Sequence, residues 1–245
     1  MATAAQALAD LQKSISDLAA AVQTEEQLGS AGLVSVALVN GSTNFGLTPQ
    51  LLEALQIQVN RDFAPVWGVH VRLSTAQNPA SVQAGSWYLL ITDNSDQAGA
   101  LRWHDQTGGR PYGEVFVLPA QQGNVALSTV LSHELLEMLA DPWVDSLAQY
   151  QDAQGAQNLA PLEVCDPVEN DEYNIVTSDG TQVAVSNFVT PGYFDQATKA
   201  PALLDFMNKL TGPIPAMTTG GYISYLPITT GGTWQQLGVR LAGTG

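Results

Sequence analysis

Basic residues are scarce in this chain. Eight Lys and Arg stand against 23 Asp and Glu, a formal net charge of −15 over 245 residues. A chain this negative repels phosphate backbones, so nucleic acid is not an expected partner and cations are. Cysteine is nearly absent: Cys165 stands alone, so no intramolecular disulfide can form and a cysteine-based zinc site is excluded. No apolar run reaches the ~18–20 residues that span a bilayer, and no membrane partner is expected. No basic stretch followed by an apolar one opens the N-terminus, so there is no Sec-type signal peptide to read. The expectation is a cytoplasmic protein, or one exported by another route. Charged residues are only 13% against 45% hydrophobic, which argues against disorder and for a sizeable core.

Residues 3–25 read as a helix rich in Ala, Leu and Gln. Leu8, Leu11, Ile15, Leu18 and Val22 alternate at spacings of three and four, a heptad-like stripe about two heptads long. It suits an amphipathic helix docked on its own domain, or a seam for a homo-oligomer. After a break at Gly29–Gly32, residues 33–39 read as a strand closed by Asn40-Gly41. Thr48-Pro49 reads as N-cap and first position of a helix with Leu51, Leu52, Leu55, Val59 and Phe63 on its apolar face. Strands are expected at 69–73, 87–91, 101–104 (an edge) and 114–118, with turns at Asp93–Asp96 and Gly108-Gly109. Asn124 reads as the N-cap of a helix ending at Ala140, before Pro142.

Beyond Pro142 the pattern predicts a polar loop at 151–161 and a short strand at 162–166. A strand at 182–189, a helix over 201–210 and a late strand at 222–225 follow. The Gly-rich end reads as loop and edge. The organisation expected is an N-terminal helix (1–28), a central subdomain (29–145) and a C-terminal subdomain that completes a cleft (146–245).

The chemistry concentrates in Ser132-His133-Glu134-Leu135-Leu136-Glu137. His133 and Glu137 lie one helical turn apart on one face, and Glu134 sits about 100° round the axis. Charged and imidazole groups inside an apolar helix are costly unless paired or metal-bound. A divalent metal is one economical reason for them. His133 and Glu137 would be ligands, leaving Glu134 free as a general base toward water. An ordinary hydrogen-bonded His133–Glu137 pair is the other reading.

This stretch resembles the active-site helix of the zincin metallopeptidases, with Glu137 in place of the second histidine of His-Glu-x-x-His. The order strand, helix, strands, edge strand, strand, motif helix over residues 30–145 is similar to that family's as well. The resemblance implies an α+β, zincin-like twisted mixed sheet with a backing helix and an active-site helix. It also implies a metal-dependent hydrolase, a peptidase acting on a peptide or protein. The cofactor is a divalent metal, zinc first; a His/Glu set also admits manganese, iron or calcium. Glu163 and Asp166 are candidates for a further ligand, although on a regular strand they would face opposite ways. His104, on the edge strand, is a third candidate or a substrate contact. The rival expectation is a catalytically inactive zincin-like structural or assembly module, oligomerising through residues 3–25.

Ser132 is not in a nucleophile elbow. Cys165, flanked by acids, reads as a small buried side chain and not a nucleophile. The acids from Asp166 to Glu172 do not match an EF-hand spacing and read as a solvated acidic turn.

Overall fold

A computed structural model of the protein describes residues 33–95, 101–199, 201–228 and 232–238. The amphipathic stripe at 3–25 and the turn residue Asp96 lie outside the described residues. No helix among the described residues is long and apolar enough to cross a membrane.

The protein is a mixed α+β structure. Its first half is a five-stranded sheet in the order β2-β1-β3-β5-β4. The strands are β1 (Leu33–Asn40), β2 (His70–Ala76), β3 (Trp87–Thr92), β4 (Arg102–Thr107) and β5 (Arg110–Phe116). The pairs β1–β2, β1–β3 and β3–β5 are parallel, and β4 joins the end of the sheet antiparallel to β5. Gly108 and Gly109 make the β4–β5 turn with φ of 57° and 77°, a conformation that favours glycine.

Helix α1 (Pro49–Ile57) crosses between β1 and β2, capped as expected: Thr48 Oγ1 accepts from Leu51 N–H, with Pro49 first. The helical path continues through a π-helical segment, Gln58–Phe63, into the short α2 (Ala64–Trp67), which Gly68 closes in a left-handed conformation. Leu51, Leu55, Val59 and Phe63 are buried, and Leu52 packs against the core at its margin. After β5 come α3 (Val117–Gln122) and the motif helix α4 (Leu127–Ala140). Every α4 residue from Thr129 to Leu139 is buried. Each fully buried leucine there contributes about 1.5–3 kcal/mol of transfer free energy.

Asn124 is not the N-cap of α4. It takes φ 55°, which asparagine tolerates, and donates its N–H to Gln121 O, so it finishes α3 instead. The strand expected at 114–118 begins earlier, at Arg110, and gives way to α3 at Val117. At the far end of α4, the buried Asp141 carboxylate accepts from Asp145 and Ser146 N–H and fixes the exit.

The second half departs further from expectation. Residues 151–161, expected as a polar loop, instead supply the turn and second strand of a hairpin, β6 (Leu147–Gln151) and β7 (Gln157–Pro161). Its turn is set by Asp152, whose carboxylate accepts from Gln154 and Ala156 N–H, and by Gly155 at φ 86°. β7 also pairs with β10 (Tyr222–Pro227), which pairs with β11 (Gln235–Gly238). A separate hairpin joins β8 (Glu172–Val176) to β9 (Gln182–Ser186).

No helix forms over 201–210. The buried Asp205 carboxylate accepts from Lys209 N–H, Leu210 N–H and the Asn187 side chain, competing with the helical backbone pattern. Nor is 162–166 a strand. Val164 O accepts from Val189 N–H, Cys165 N–H donates to a side chain of α4, and a 3-10 turn starts at Asp166. One hydrophobic cluster runs through both halves, from Val36 and Leu89 through Leu131 and Leu135 to Val164, Phe188 and Ile223.

Candidate metal centre

Three separate segments converge on one face of α4. The motif helix supplies His133, Glu134 and Glu137; β4 supplies Arg102 and His104; the segment after β7 supplies Glu163, Asp166 and Glu169. Arg102 and His104 are two residues apart on a strand, so both face the helix. Gly113 pairs with His104 across the sheet and leaves the space in which His104 meets Glu134.

His133 Nε2 stands 2.9 Å from Glu137 Oε2 and 3.3 Å from Asp166 Oδ1. Two donors each ~2.1 Å from a tetrahedral ion are about 3.4 Å apart, so this spacing is close to that of a ligand set. Glu137 is held in place by its other oxygen: Cys165 N–H donates to Oε1 at 3.1 Å, which leaves Oε2 toward His133. The irregular backbone at 162–166 removes the strand restriction. Donor atoms of Glu137, Glu163 and Asp166 lie within 4.8 Å of one another. The same holds for His133 with Asp166 and Glu169, His133 with Glu137 and Cys165, and His104 with Glu134 and Glu137.

Glu134 faces the edge strand. His104 Nδ1 donates to Glu134 Oε1 at 2.9 Å, while His104 Nε2 is buried without a hydrogen-bond partner among the described residues. An unpaired buried imidazole nitrogen is costly, and so points to a missing ligand. A small cleft is lined by Glu163, Asp166, Pro161, Tyr193 and Tyr222 among others.

Ionisable groups are crowded here. Glu134, Glu137, Glu163, Asp166 and Glu169 are five carboxylates; among the described residues they face one permanent cation, Arg102, and two histidines. Burial opposes ionisation of both histidines, but the carboxylates prevail. The Glu134 hydrogen bond and the charges of Glu134, Glu163 and Glu137 push His104 up to about 10. For His133, burial and the Arg102 charge both lower the pKa. Glu137, Glu169 and the Asp166 hydrogen bond outweigh them and push it to about 10. Burial raises Glu137, and raises Glu163 well above the usual carboxylate range, with neighbouring acids adding to both. Asp166 is lowered: burial opposes this, but the His133 hydrogen bond and charge and the Arg102 charge win. These buried donor groups could hold a divalent cation.

Arg102 and Glu169 were missed as site residues at the level of sequence. Arg102 donates to Glu169 Oε2 at 2.6 Å and lies 4.0 Å from Asp166 Oδ1. Its Nη2 is also 2.8 Å from His133 Nε2. The signal was present: an arginine two residues before His104, in a chain with few cations. The remaining acids of the 166–172 stretch scatter to other partners. Asp171 pairs with Lys209 at 2.5 Å, and Glu172 accepts from Thr129 Oγ1 at 3.0 Å. Cys165 is buried, and burial lifts its thiol well above its ordinary range. Asp141 serves the helix end. His70 is partly exposed at the start of β2, away from the cluster's ligand groups.

No family model, curated protein or solved structure matches this chain.

Proposed function

We propose that the protein is a zincin-like, metal-dependent hydrolase acting on a peptide or protein. The observation that carries this reading is the convergence of His133, Glu137 and Asp166, with Glu163 beside them, from two separate segments at donor-to-donor spacing. The parallel sheet with an antiparallel edge strand, the backing α1 and the buried motif helix support the comparison.

His133, Glu137 and Asp166 or Glu163 would hold the ion; the donor set admits zinc, and its carboxylates also suit manganese, iron or calcium. A divalent ion bound there supplies Lewis acidity, polarising a carbonyl and making a water easier to deprotonate. Glu134 would be the general base that takes a proton from the attacking water and returns it to the leaving amine. His104 donates to Glu134 Oε1 and so sets its orientation. Gly113 lets Glu134 sit against the sheet. β4 is the edge strand, and its backbone is suited to pairing with an extended chain.

The test is metal analysis of the purified protein together with peptide hydrolysis by wild type and Glu134→Gln. Near-stoichiometric metal and hydrolysis lost in E134Q are expected. Stoichiometric metal without hydrolysis would reject the enzyme and keep the metal centre.

A second reading rests on Arg102. Its bonds to Glu169 and His133 give the cluster a resident cation, so the motif helix could serve a catalytically inactive, metal-free structural module. Absence of bound metal, with a melting temperature indifferent to chelator and added zinc, favours that reading over the first.

A further inference from the structure

We infer that Arg102 is a placeholder cation that competes with the metal for His133 and must withdraw when the metal binds. The inference rests on the metal-centre reading above and adds a residue that sets how tightly the ion is held.

The argument begins with the two nitrogens of one imidazole. They point away from each other, so in-plane partners of both would stand on opposite sides of the ring. Glu169 Oε2 is 3.3 Å from Nδ1, and Arg102 Nη2 is 2.8 Å from Nε2. Yet those two atoms are only 2.6 Å apart. They cannot both be in-plane partners, so at least one of them stands out of the ring plane, and the longer Glu169 contact is the weaker claim on the ring.

Nε2 itself is overcommitted. Glu137 Oε2 at 2.9 Å and Asp166 Oδ1 at 3.3 Å are acceptors and ask for an N–H. Arg102 is only a donor and asks for a bare lone pair. One nitrogen cannot meet both demands. With a proton on Nε2, two N–H donors face each other at 2.8 Å; with a bare Nε2, two carboxylates face a lone pair. A metal ion in the place of the proton satisfies His133, Glu137 and Asp166 together, and leaves Arg102 as the group in conflict. A guanidinium does not deprotonate in a protein, so it cannot relieve the conflict by losing charge. Its remaining route is to move away from Nε2 while keeping Glu169, its shortest partner.

The experiment is calorimetric titration of zinc chloride into metal-stripped full-length wild type, Arg102→Met and Arg102→Lys. R102M should bind zinc at least tenfold more tightly than wild type. R102K, which keeps the charge, should stay within about threefold of it. A residue that merely supports the fold would weaken binding when lost, so equal or weaker zinc affinity in R102M overturns the inference. Should R102M not fold, Arg102→Met with Glu169→Gln removes one charge of each sign and must show the same tightening.

Wild type supplies an independent readout. In protein labelled with ¹⁵N-arginine, the Arg102 side-chain resonance must shift in step with zinc occupancy; an unmoved signal at saturation overturns the inference. If zinc binds neither wild type nor R102M, the metal centre itself fails and this inference with it. If zinc binds wild type but Arg102 neither moves nor weakens it, only the inference fails.

Discussion

Gly113 on β5 and Glu134 on the motif helix are matched in shape. A Cβ on Gly113 would stand 3.1 Å from Glu134 Cγ and 2.8 Å from Leu89 Cδ1. The backbone there is not left-handed, so the requirement is space and not conformation. Gly113→Ala should therefore overpack the helix–sheet interface, at about 1–3 kcal/mol. It should also push Glu134 off His104. Urea denaturation measures the first effect. Under the hydrolase reading, kcat should fall by more than tenfold in protein that is still folded. A G113A protein as stable as wild type contradicts the close approach.

The motif helix is locked from its other side by a closed ring of buried hydrogen bonds. Ser132 Oγ donates to Gln58 Oε1 at 2.7 Å, Gln58 Nε2 donates to Ser186 O at 2.9 Å, and Ser186 N–H donates back to Ser132 Oγ at 2.9 Å. Ser132→Ala leaves Gln58 Oε1 and Ser186 N–H without that partner in a dry interface. The expected loss is about 1–3 kcal/mol by chemical denaturation, with no effect on metal content. A loss within ~0.5 kcal/mol, the range of an ordinary surface substitution, rejects the ring as a stabilising element.

That ring explains part of what the sequence could and could not reveal. Thr48-Pro49, the strand patterns around 33–39 and 87–91, and the i, i+4 spacing of His133 and Glu137 are local signals, and the structure follows them. Gln58, Ser132 and Ser186 meet across more than fifty residues, and no local periodicity encodes such a meeting. The second half departs from its local patterns for a similar reason. Asp152 and Asp205 set turns with side-chain hydrogen bonds that override the patterns around them. The segment 162–166 looks extended by composition. Its backbone is instead tied to Glu137 and Val189, and that places Glu163 and Asp166 together. Arg102 was invisible as a site residue because its meaning depends on where Glu169 and His133 end up.

Val144 follows the motif helix in a left-handed conformation, φ 53°, which a β-branched residue rarely adopts. Its side chain is 45% exposed, so little packing offsets the strain. Val144→Gly should relieve strain of about 1–3 kcal/mol and lose about 0.5–1 kcal/mol of that to glycine's extra freedom when unfolded. A net gain of roughly 1 kcal/mol is expected in thermal or urea unfolding. A destabilised V144G protein would mean that Val144 packs on a surface it does not touch here.

Under the metal-centre reading, protons and the ion compete for the same cluster. In the metal-free protein His133 and His104 are raised to about 10 from an ordinary 6.5. A raised histidine contributes stability that is complete below its unfolded value and is lost as pH rises through the folded one. Glu137 and Glu163 are raised as well, so their contribution also fades as pH rises past their unfolded value. Asp166 runs the other way: it is lowered, and its contribution is present above its unfolded value and lost in acid. The chelated protein should thus lose stability steadily from about pH 6.5 to about pH 10. A bound divalent ion takes the proton's place on His133 and needs the carboxylates ionised, so its affinity should climb over the same range. Melting temperatures across that range, with zinc and with chelator, should diverge as pH increases. Two parallel curves would show that no ion enters the His133–Glu137–Asp166 cluster.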